Sequence, residues 1–242
     1  MIKVFSKEYR VKHNDTDFSG LLSIASLGNF VLDTAGLHAI EIKTSMEILN
    51  KQNLTWVITG MHFNIIEMPK INSEIKITTK ITETSRLACK RDFFVEHNQK
   101  IIAQVSTEWL IINCETRRPV FLTDILPHIN NLITPENQID KYHHLRFQIN
   151  EKALKNYYSV AYSDIDINKH LYSMRYIELA MNTININYFS NHKISTIDIN
   201  FMSEILYGEN IEILTENFDN IYHIEMQNSE HKPMFRAEIV WK

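Results

Sequence analysis

One short segment, SDIDINKH at residues 163–170 (the site segment), carries the densest run of side chains that could do chemistry. Acidic or amide residues lie at alternate positions, Asp164, Asp166 and Asn168, and His170 follows in the same phase. Carboxylate, amide and imidazole groups can orient water, hold a carbonyl oxygen and move a proton. The segment is therefore a candidate for catalysis or for metal binding.

Calcium binding is the first alternative, because D-x-D-x-N supplies the first three oxygen ligands of an EF-hand loop. Such a loop also needs glycine at its sixth position and a glutamate at its twelfth. Lys169 and Arg175 stand there instead, and both residues disfavour a divalent ion. The remaining histidines, including the pair His143 and His144, show no H-E-x-x-H spacing, so we expect neither a metal nor a cofactor.

The composition indicates a globular chain with a sizeable core, since 44% of its 242 residues are hydrophobic. A net charge of -4 argues against a general nucleic-acid binder. Cys89 and Cys114 have no paired spacing, so we expect no disulfide and a cytoplasmic location. Polar residues interrupt the most apolar stretch, residues 20–42, so no membrane span is expected.

An internal repeat appears when Val11 is aligned with Val160 and both segments are read forward without a gap. Asp15 and Asp17 then face the two aspartates of the site segment, and apolar residues follow at helical spacing in both copies. These apolar positions are Leu22, Ala25, Gly28 and Val31 in the first copy and Leu171, Met174, Ile177 and Ala180 in the second. Each copy therefore predicts a strand, a turn and a buried helix.

Four alternating segments rich in β-branched residues follow each predicted helix. They are WVITGMHFNIIE, EIKITTKITE, KRDFFVEH and IIAQVSTEWLIIN in the first copy, and ISTIDINFMSE, NIEILTE, YHIEMQN and MFRAEIVWK in the second. Because an amphipathic helix must be covered on its apolar side, this order indicates an α+β fold with a sheet wrapped around a helix. We predict domains at residues 1–118 and 154–242, joined by a proline-containing linker at 119–153.

The two copies differ at the positions that could do chemistry. Opposite Asn168 and His170 the first copy has Ser19 and Leu21, so we predict one active site per chain, in the second copy. We expect an extended turn up to Asn168, which would cap the helix, with His170 in the first helical turn. The positive helix end would then lie beside the segment and stabilise a developing oxyanion.

The segment SDIDINKHLYSMRYIE resembles the S-D-L-D-M-N-Q-H-V-N-N-x-x-Y-I motif of the acyl-acyl-carrier-protein thioesterases. VSTEWLIINCETRRP is similar to that family's strand ending in T-R-R, RDFFV to its R-D-W strand, and FMSEI to its Y-R-R-E-C stretch. The resemblance covers roughly residues 4–118 and 157–241. It implies two tandem hot-dog domains, each an antiparallel sheet wrapped around a central helix, and hydrolysis of fatty acyl thioesters.

The resemblance implies four catalytic residues: Asp166, Asn168, His170 and Glu204. The family's cysteine is not carried over, because Ile205 occupies its position. Glu204, expected on the strand after the helix and flanked by apolar residues, could have a raised pKa and act as general base toward water. Asn168 would orient that water or hold the carbonyl, His170 would polarise the carbonyl or assist the thiol, and Asp166 would orient its neighbours.

The resemblance also implies that the first hot-dog domain binds the acyl chain without catalysing its release, and the small residues of SIASLGNF could leave space for that chain. The implied partner is an acyl carrier protein of fatty acid biosynthesis, and a homodimer stays open. Basic residues could meet this acidic carrier, namely Arg117, Arg118, Lys169, Arg175 and Lys193. The alternatives are an acyl-CoA thioesterase of the same fold, a hot-dog dehydratase and a non-catalytic acyl-binding protein.

Overall fold

The computed structural model describes residues 2–135, 139–140 and 142–242. The chain separates into two compact units, a first that ends at Tyr142 and a second from His143 to Lys242. Each unit combines one antiparallel sheet with helices, which confirms the predicted α+β class. No helix in the described part of the chain is both long enough and apolar enough to cross a membrane.

The first unit contains five strands in the spatial order β1-β3-β4-β5-β2, with every neighbouring pair antiparallel. Along the chain its elements are β1 (Val4–Arg10), a 3-10 turn (His13–Asp15), α1 (Ile24–Glu41), α2 (Met46–Asn50), β2 (Leu54–Ile65), β3 (Glu74–Thr84), β4 (Ala88–His97), β5 (Lys100–Asn113), α3 (Leu122–Ile125) and a 3-10 turn (Ile129–Leu132).

The second unit repeats this plan with strands in the order β6-β8-β9-β10-β7, again antiparallel. Its elements are β6 (Leu154–Ser159), a 3-10 turn (Tyr162–Asp164), α4 (Ser173–Met181), α5 (Ile186–Asn191), β7 (Ile194–Phe201), β8 (Asn210–Phe218), β9 (Ile221–Gln227) and β10 (Pro233–Trp241). The sequence repeat is therefore present in the structure. It includes a short second helix in each copy that the sequence pattern did not predict.

The helix of each unit buries the apolar face that the spacing predicted. Helix α1 begins where the Ser23 hydroxyl accepts the Ser26 N–H at 3.1 Å, an N-cap bond that satisfies a free backbone donor. In α4, the Tyr176 ring stacks on Phe235 with centroids 5.4 Å apart and meets Phe201 edge-on at 5.6 Å. The two ring contacts fix α4 against strands β7 and β10 of its own sheet.

Most of the predicted linker is ordered by the unit on either side of it. Leu145 N–H donates to Asn200 Oδ1 at 2.7 Å, and Asn150 N–H donates to Glu216 Oε1 at 2.8 Å, so this part lies along the second unit. Residues 136–138 and 141 of the predicted linker lie outside the described residues. The earlier part packs into a core of the first unit, where Leu122, Leu126, Ile129 and Leu132 are buried with Ile42, Leu49, Leu54 and Ile81.

Candidate active site

Residues 166–170 of the site segment form a hydrogen-bonded turn between the 3-10 turn and helix α4. Asp166 N–H donates to His170 O at 2.9 Å, and Lys169 N–H donates to Asp166 O at 3.0 Å. Lys169 has φ +66°, in the left-handed region and outside the helical one. Helix α4 begins only at Ser173. The prediction that Asn168 caps the helix and that His170 lies in its first turn is therefore wrong, because the N-cap is Tyr172.

The side chain of Asp166 explains why the helix does not begin earlier. Its Oδ1 accepts the backbone N–H of Asn168 at 2.8 Å and that of His170 at 3.2 Å. Its Oδ2 accepts Nδ2 of Asn168 at 3.3 Å. A short acidic side chain that binds nearby N–H groups offers the backbone an alternative to helical hydrogen bonds. The carboxylate thus holds the turn that presents Asn168 and His170.

His170 and Glu204 come from two loops and meet side chain to side chain. Nδ1 of His170 lies 3.5 Å from Oε1 of Glu204. The loops are joined through the backbone, because His170 forms an antiparallel bridge with Leu206 and Leu171 N–H donates to Ile205 O at 2.8 Å. The exposed fractions of the two side chains are 21% and 37%, so water and a ligand can reach both.

Glu204 lies in a loop, and its predicted place on a strand is wrong. Strand β7 ends at Phe201, after which the N–H groups of Met202 and Ser203 both donate to Met234 O, at 2.9 and 3.1 Å. Two donors on one carbonyl end the regular ladder. Ile205 is fully buried. The position of the family's cysteine is therefore filled by a core side chain with no proton to transfer.

Tyr176 secures the loop that carries Glu204, although it was not among the predicted site residues. Tyr176 lies in helix α4, and its hydroxyl donates to Ser203 O at 3.3 Å. Burial raises the pKa of the Tyr176 hydroxyl, and nearby carboxylates raise it further, so the hydroxyl stays protonated as a donor. A sequence signal existed, since Tyr176 matches the tyrosine of the N-N-x-x-Y-I motif.

Asp164 belongs to a separate brace. Its Oδ2 accepts the Tyr158 hydroxyl and the Ala161 N–H, both at 2.8 Å, and its Oδ1 accepts Arg175 Nε at 2.8 Å. Burial raises the pKa of Asp164, but these hydrogen bonds outweigh it and the net pKa is lowered, so the carboxylate is ionised. Arg175 also binds Glu178 at 2.6 Å. Arg175 is thus paired with two carboxylates, so it adds no net positive charge to the basic surface predicted for a carrier.

The first unit contains the same turn. Oδ1 of Asp17 accepts the Ser19 N–H at 2.8 Å, the Ser19 hydroxyl at 2.6 Å and the Leu21 N–H at 3.3 Å. Gly20, with φ +75°, takes the left-handed position, at no steric cost. The aspartate therefore shapes the turn in both copies, independently of any chemistry.

The matching loop of the first unit carries no ionisable group at the position of Glu204. Leu21 bridges to Lys70 as His170 bridges to Leu206, which puts Met68 in register with Glu204. The first copy thus has a serine, a leucine and a methionine where the second copy has the asparagine, the histidine and the glutamate of the candidate site. The difference between the copies that the sequence predicted thus extends to the position of Glu204, the predicted general base.

A cavity of about 440 Å³ lies in the first unit, lined by α1, the start of α2 and strands β2 to β5. The small residues of α1 that border it are Ala35, Gly36 and Ala39, which lie later in the helix than the SIASLGNF stretch expected to leave space. A Cβ placed on Gly36 would meet nothing within 4 Å. The first unit therefore has room for a mostly aliphatic ligand.

Neither cysteine is in a disulfide. Cys89 lies on β4 and is buried, and burial raises the pKa of its thiol to about 11. A protonated thiol is a poor nucleophile.

Among the described residues, no three His, Cys, Asp or Glu side chains are grouped so that they could hold a metal ion.

Two family models match most of the chain: the acyl-ACP thioesterase N-terminal domain over residues 2–129 and the C-terminal domain over residues 147–242. A chloroplastic acyl-[acyl-carrier-protein] hydrolase of Cuphea viscosissima is 21% identical over 228 residues, which cover 87% of this chain and 54% of that protein. A chloroplastic oleoyl-acyl carrier protein thioesterase of Coriandrum sativum is 20% identical over 230 residues, covering 87% and 62%. The chain spans about half to three fifths of the length of these curated relatives.

Solved structures share the fold over the whole chain. An acyl-ACP thioesterase from Bacteroides thetaiotaomicron superposes with a TM-score of 0.89 at 25% identity, covering 99% of this chain and 98% of that one. The 12:0-ACP thioesterase from Umbellularia californica gives 0.87 at 17% identity, covering 100% and 98%. These likenesses confirm the hot-dog expectation for both units. Since its two halves match the N-terminal and the C-terminal domain models in the order expected, the chain belongs to the acyl-ACP thioesterase family.

Proposed function

We propose that this chain hydrolyses fatty acyl thioesters of acyl carrier protein and releases free fatty acid for fatty acid biosynthesis. The observation that carries the proposal is the run of contacts from Asn168 through Asp166 to His170 and Glu204. These groups occur together in only one of two turns that otherwise have the same hydrogen bonds. Membership of the family supports this reaction, and the relatives named above are hydrolases of acyl carrier protein thioesters.

Glu204 acts as the general base in this proposal. Its carboxylate takes a proton from a water molecule while the water oxygen forms a bond to the thioester carbonyl carbon. At 37% exposure, the side chain is reached by water without leaving the His170 contact. No cysteine is needed, because the side chain after Glu204 is the buried Ile205.

Asn168 stabilises the negative charge that develops on the carbonyl oxygen, and His170 transfers the proton to the leaving thiolate. One Nδ2 hydrogen of Asn168 is used by Asp166, and the other is left to donate to the carbonyl oxygen as it becomes an oxyanion. When the carbon–sulfur bond breaks, its electron pair leaves on sulfur. His170, in contact with Glu204, passes the abstracted proton to the thiolate, so one water and one thioester give one acid and one thiol.

Asp166 is a positioning residue in this scheme. All the hydrogen bonds described for its carboxylate go to the turn itself, and its counterpart Asp17 makes the same kind of bonds where no chemistry is expected. It holds Asn168 and His170 in place rather than touching the reacting atoms. Precise placement of this kind is a large part of enzymatic rate enhancement.

The acyl chain and the carrier are assigned to different surfaces. We assign the chain to the first unit, supported by its largely apolar cavity. The carrier is assigned to the rim of the second-unit site, where Lys169 is exposed and Ile167 and Leu206 are 88% and 46% exposed. A cation among apolar groups suits an acidic carrier with a pantetheine arm.

Release of free thiol from acyl carrier protein and from coenzyme A, each charged with the same acyl chain, tests this function. We expect a higher kcat/KM with the acyl carrier protein. Preference for the coenzyme A thioester would assign the chain to acyl-CoA hydrolysis instead. No thiol release from either substrate across saturated chains, with fatty acid still bound, would leave an acyl-binding protein and refute the proposal.

A further inference from the structure

Arg91 is a buried cation on the wall of the first-unit cavity. It lies on β4 with only 6% of its surface exposed, and it borders the cavity with Cys89, Trp56 and Trp109. Removing a charged group from water is costly unless an opposite charge or strong hydrogen bonds compensate for it. The groups around Arg91 therefore decide which ligands the cavity favours.

His38 is the side chain that the structure pairs with Arg91. Nη1 of Arg91 lies 2.6 Å from Nδ1 of His38, and Nε2 of His38 lies 2.9 Å from Ile2 O. A guanidinium only donates, so Nδ1 accepts and Nε2 carries the hydrogen that is donated to Ile2 O. His38 is therefore neutral. Its pKa agrees, because burial and then the Arg91 charge lower it to about 4.

No carboxylate of the described residues forms an ion pair with Arg91. Two acidic residues among those described border the same cavity, but both are exposed to solvent and have other partners. Asp33 is 49% exposed and pairs with Lys7 at 2.7 Å, and Glu47 is 86% exposed and lies 3.8 Å from Lys51. The guanidinium has five N–H donors, of which His38 takes one. Within the part of the chain that the structure describes, no anion therefore balances the positive charge of Arg91 on the cavity wall.

The rest of the cavity suits an aliphatic chain. Its volume of about 440 Å³ is within the ~300–1,000 Å³ typical of ligand pockets. The Trp56 and Trp109 N–H groups are already used, donating to Thr44 O and the Thr107 hydroxyl at 2.8 Å each. The two indoles therefore offer apolar faces and edges to a ligand. The aliphatic part of the lining includes Leu32, Leu37, Ile40, Met46 and Ile81.

We propose that this cavity binds a free fatty acid, with its carboxylate on Arg91 and its tail along α1. A carboxylate can accept two parallel N–H bonds from a guanidinium. The fatty acid would therefore supply both the missing negative charge and the acceptors for N–H donors that His38 does not use. The inference rests on the proposed function only for the origin of the acid, which would be the hydrolysis product. Because the substrate chain is assigned to the same cavity, the product would compete with the substrate.

Tryptophan fluorescence reports binding directly, because Trp56 and Trp109 border the cavity and the third tryptophan, Trp241, lies in the second unit. Saturated fatty acids from octanoic to hexadecanoic acid are titrated beside alcohols of equal length and beside acetate. We expect each acid to bind about ten- to a hundredfold more tightly than its alcohol, as charge-assisted hydrogen bonds predict. Acetate, which lacks a tail, should bind weakly. This comparison needs no variant.

Three variants separate the contribution of the Arg91 charge from that of the cavity volume. Arg91→Met should lower the affinity for the acid to that of the alcohol, and Arg91→Lys, which keeps the charge without the fork, should fall between. Gly36→Leu should weaken acid and alcohol alike, since Gly36 borders the cavity and the added side chain takes up space at its edge. If Arg91→Met does not fold, the wild-type comparison and Arg91→Lys decide.

Equal affinity of acid and alcohol in the wild-type protein would overturn the proposal, as would an acid preference that survives in folded Arg91→Met or no acid binding at all. Asn168→Ala, in the second unit, should keep acid binding while losing hydrolysis. Acid binding in a protein that releases no thiol from any thioester would refute only the proposed function. Hydrolysis without any preference for acids over alcohols would refute only this inference.

Discussion

Removing the same carboxylate from each of the two matched turns tests whether the turn of the second unit does chemistry. Asp166→Ala and Asp17→Ala each delete an acceptor of three hydrogen bonds. The bonds are 2.8, 3.2 and 3.3 Å long in the second unit and 2.8, 2.6 and 3.3 Å long in the first. The two variants are therefore structurally equivalent perturbations. They differ in what the turns present, which is Asn168 and His170 in one and Ser19 and Leu21 in the other.

The expected magnitudes follow from these bonds. Each contributes about 0.5–1.5 kcal/mol net, and on an exposed turn water replaces part of that, so each variant should lose about 1–2 kcal/mol of unfolding free energy. The effect on activity should differ, since a displacement of about 1 Å in a catalytic group can cost roughly a hundredfold in rate. Asp166→Ala should therefore lose about that factor in kcat/KM, and Asp17→Ala should stay near the wild-type value.

Urea unfolding gives the two stability changes, and thiol release from acyl carrier protein gives kcat and KM. Asp166→Asn, which keeps one oxygen acceptor, should recover part of the lost rate. A merely structural role for Asp166 would make the two alanine variants alike in both measurements. An equal loss of kcat/KM in both, or full activity in Asp166→Ala, would refute the assignment of the active site to the second turn.

Asn168→Ala and His170→Ala should each lower kcat about a hundredfold, the usual cost of losing an oxyanion donor or a proton carrier, and thiol release measures both. Near-normal kcat in either folded variant would remove that residue from the mechanism. The double variant Cys89→Ala, Cys114→Ser should keep most of its activity, because burial raises the Cys89 pKa to about 11 and its thiol stays protonated; a large loss in the folded double variant would restore a thiol mechanism. Lys169→Gly should raise the unfolding free energy in urea by up to about 1 kcal/mol, since a left-handed L-residue costs about 1–2 kcal/mol and glycine returns part of it as unfolded-state entropy. A fall in stability would contradict the left-handed turn.

The two sheets and the order of their elements along the chain could be predicted because alternation is a local signal, whereas the order of the strands within each sheet was not predicted. Each β-branched segment became a strand, and the ungapped alignment of Val11 with Val160 identified two copies of one plan. Leu22 and Leu171, read as the first helical positions, are buried but precede their helices. The packing of residues 119–135 onto the first unit depends on tertiary contacts of Leu122 and its neighbours, which proline content does not reveal.

The site residues were predicted together, but not their local conformation. All four lie in one run of contacts, and their catalytic roles stay predictions. Asn168 is a good N-cap by type, yet the Asp166 carboxylate binds its N–H and Lys169 turns left-handed, so a helix cannot start there. The alternation through FMSEI suggested a strand up to Glu204, but two N–H groups converge on one carbonyl and end the ladder after Phe201.

The position of Arg91 on the wall of the first-unit cavity could not be predicted from the sequence pattern around it. Arg91 was read only as part of a strand similar to the family's R-D-W strand, and a charged residue on a strand is usually solvated. The ligand preference inferred from Arg91 depends on His38, which is 53 positions away in sequence. It also depends on the absence of an ion-pairing carboxylate among the described residues. Such pairs arise from the fold, so they carry no local signal.

The rate of thiol release by Glu204→Gln tests the central claim, that a water activated by Glu204 attacks the thioester. Glutamine keeps the shape of the side chain but cannot take a proton, so kcat should fall by roughly a hundred- to ten-thousandfold. Wild-type protein quenched during turnover with labelled acyl carrier protein should carry no acyl group. A folded Glu204→Gln variant with near-wild-type kcat, or a labelled acyl-enzyme in the quenched wild type, would contradict the account.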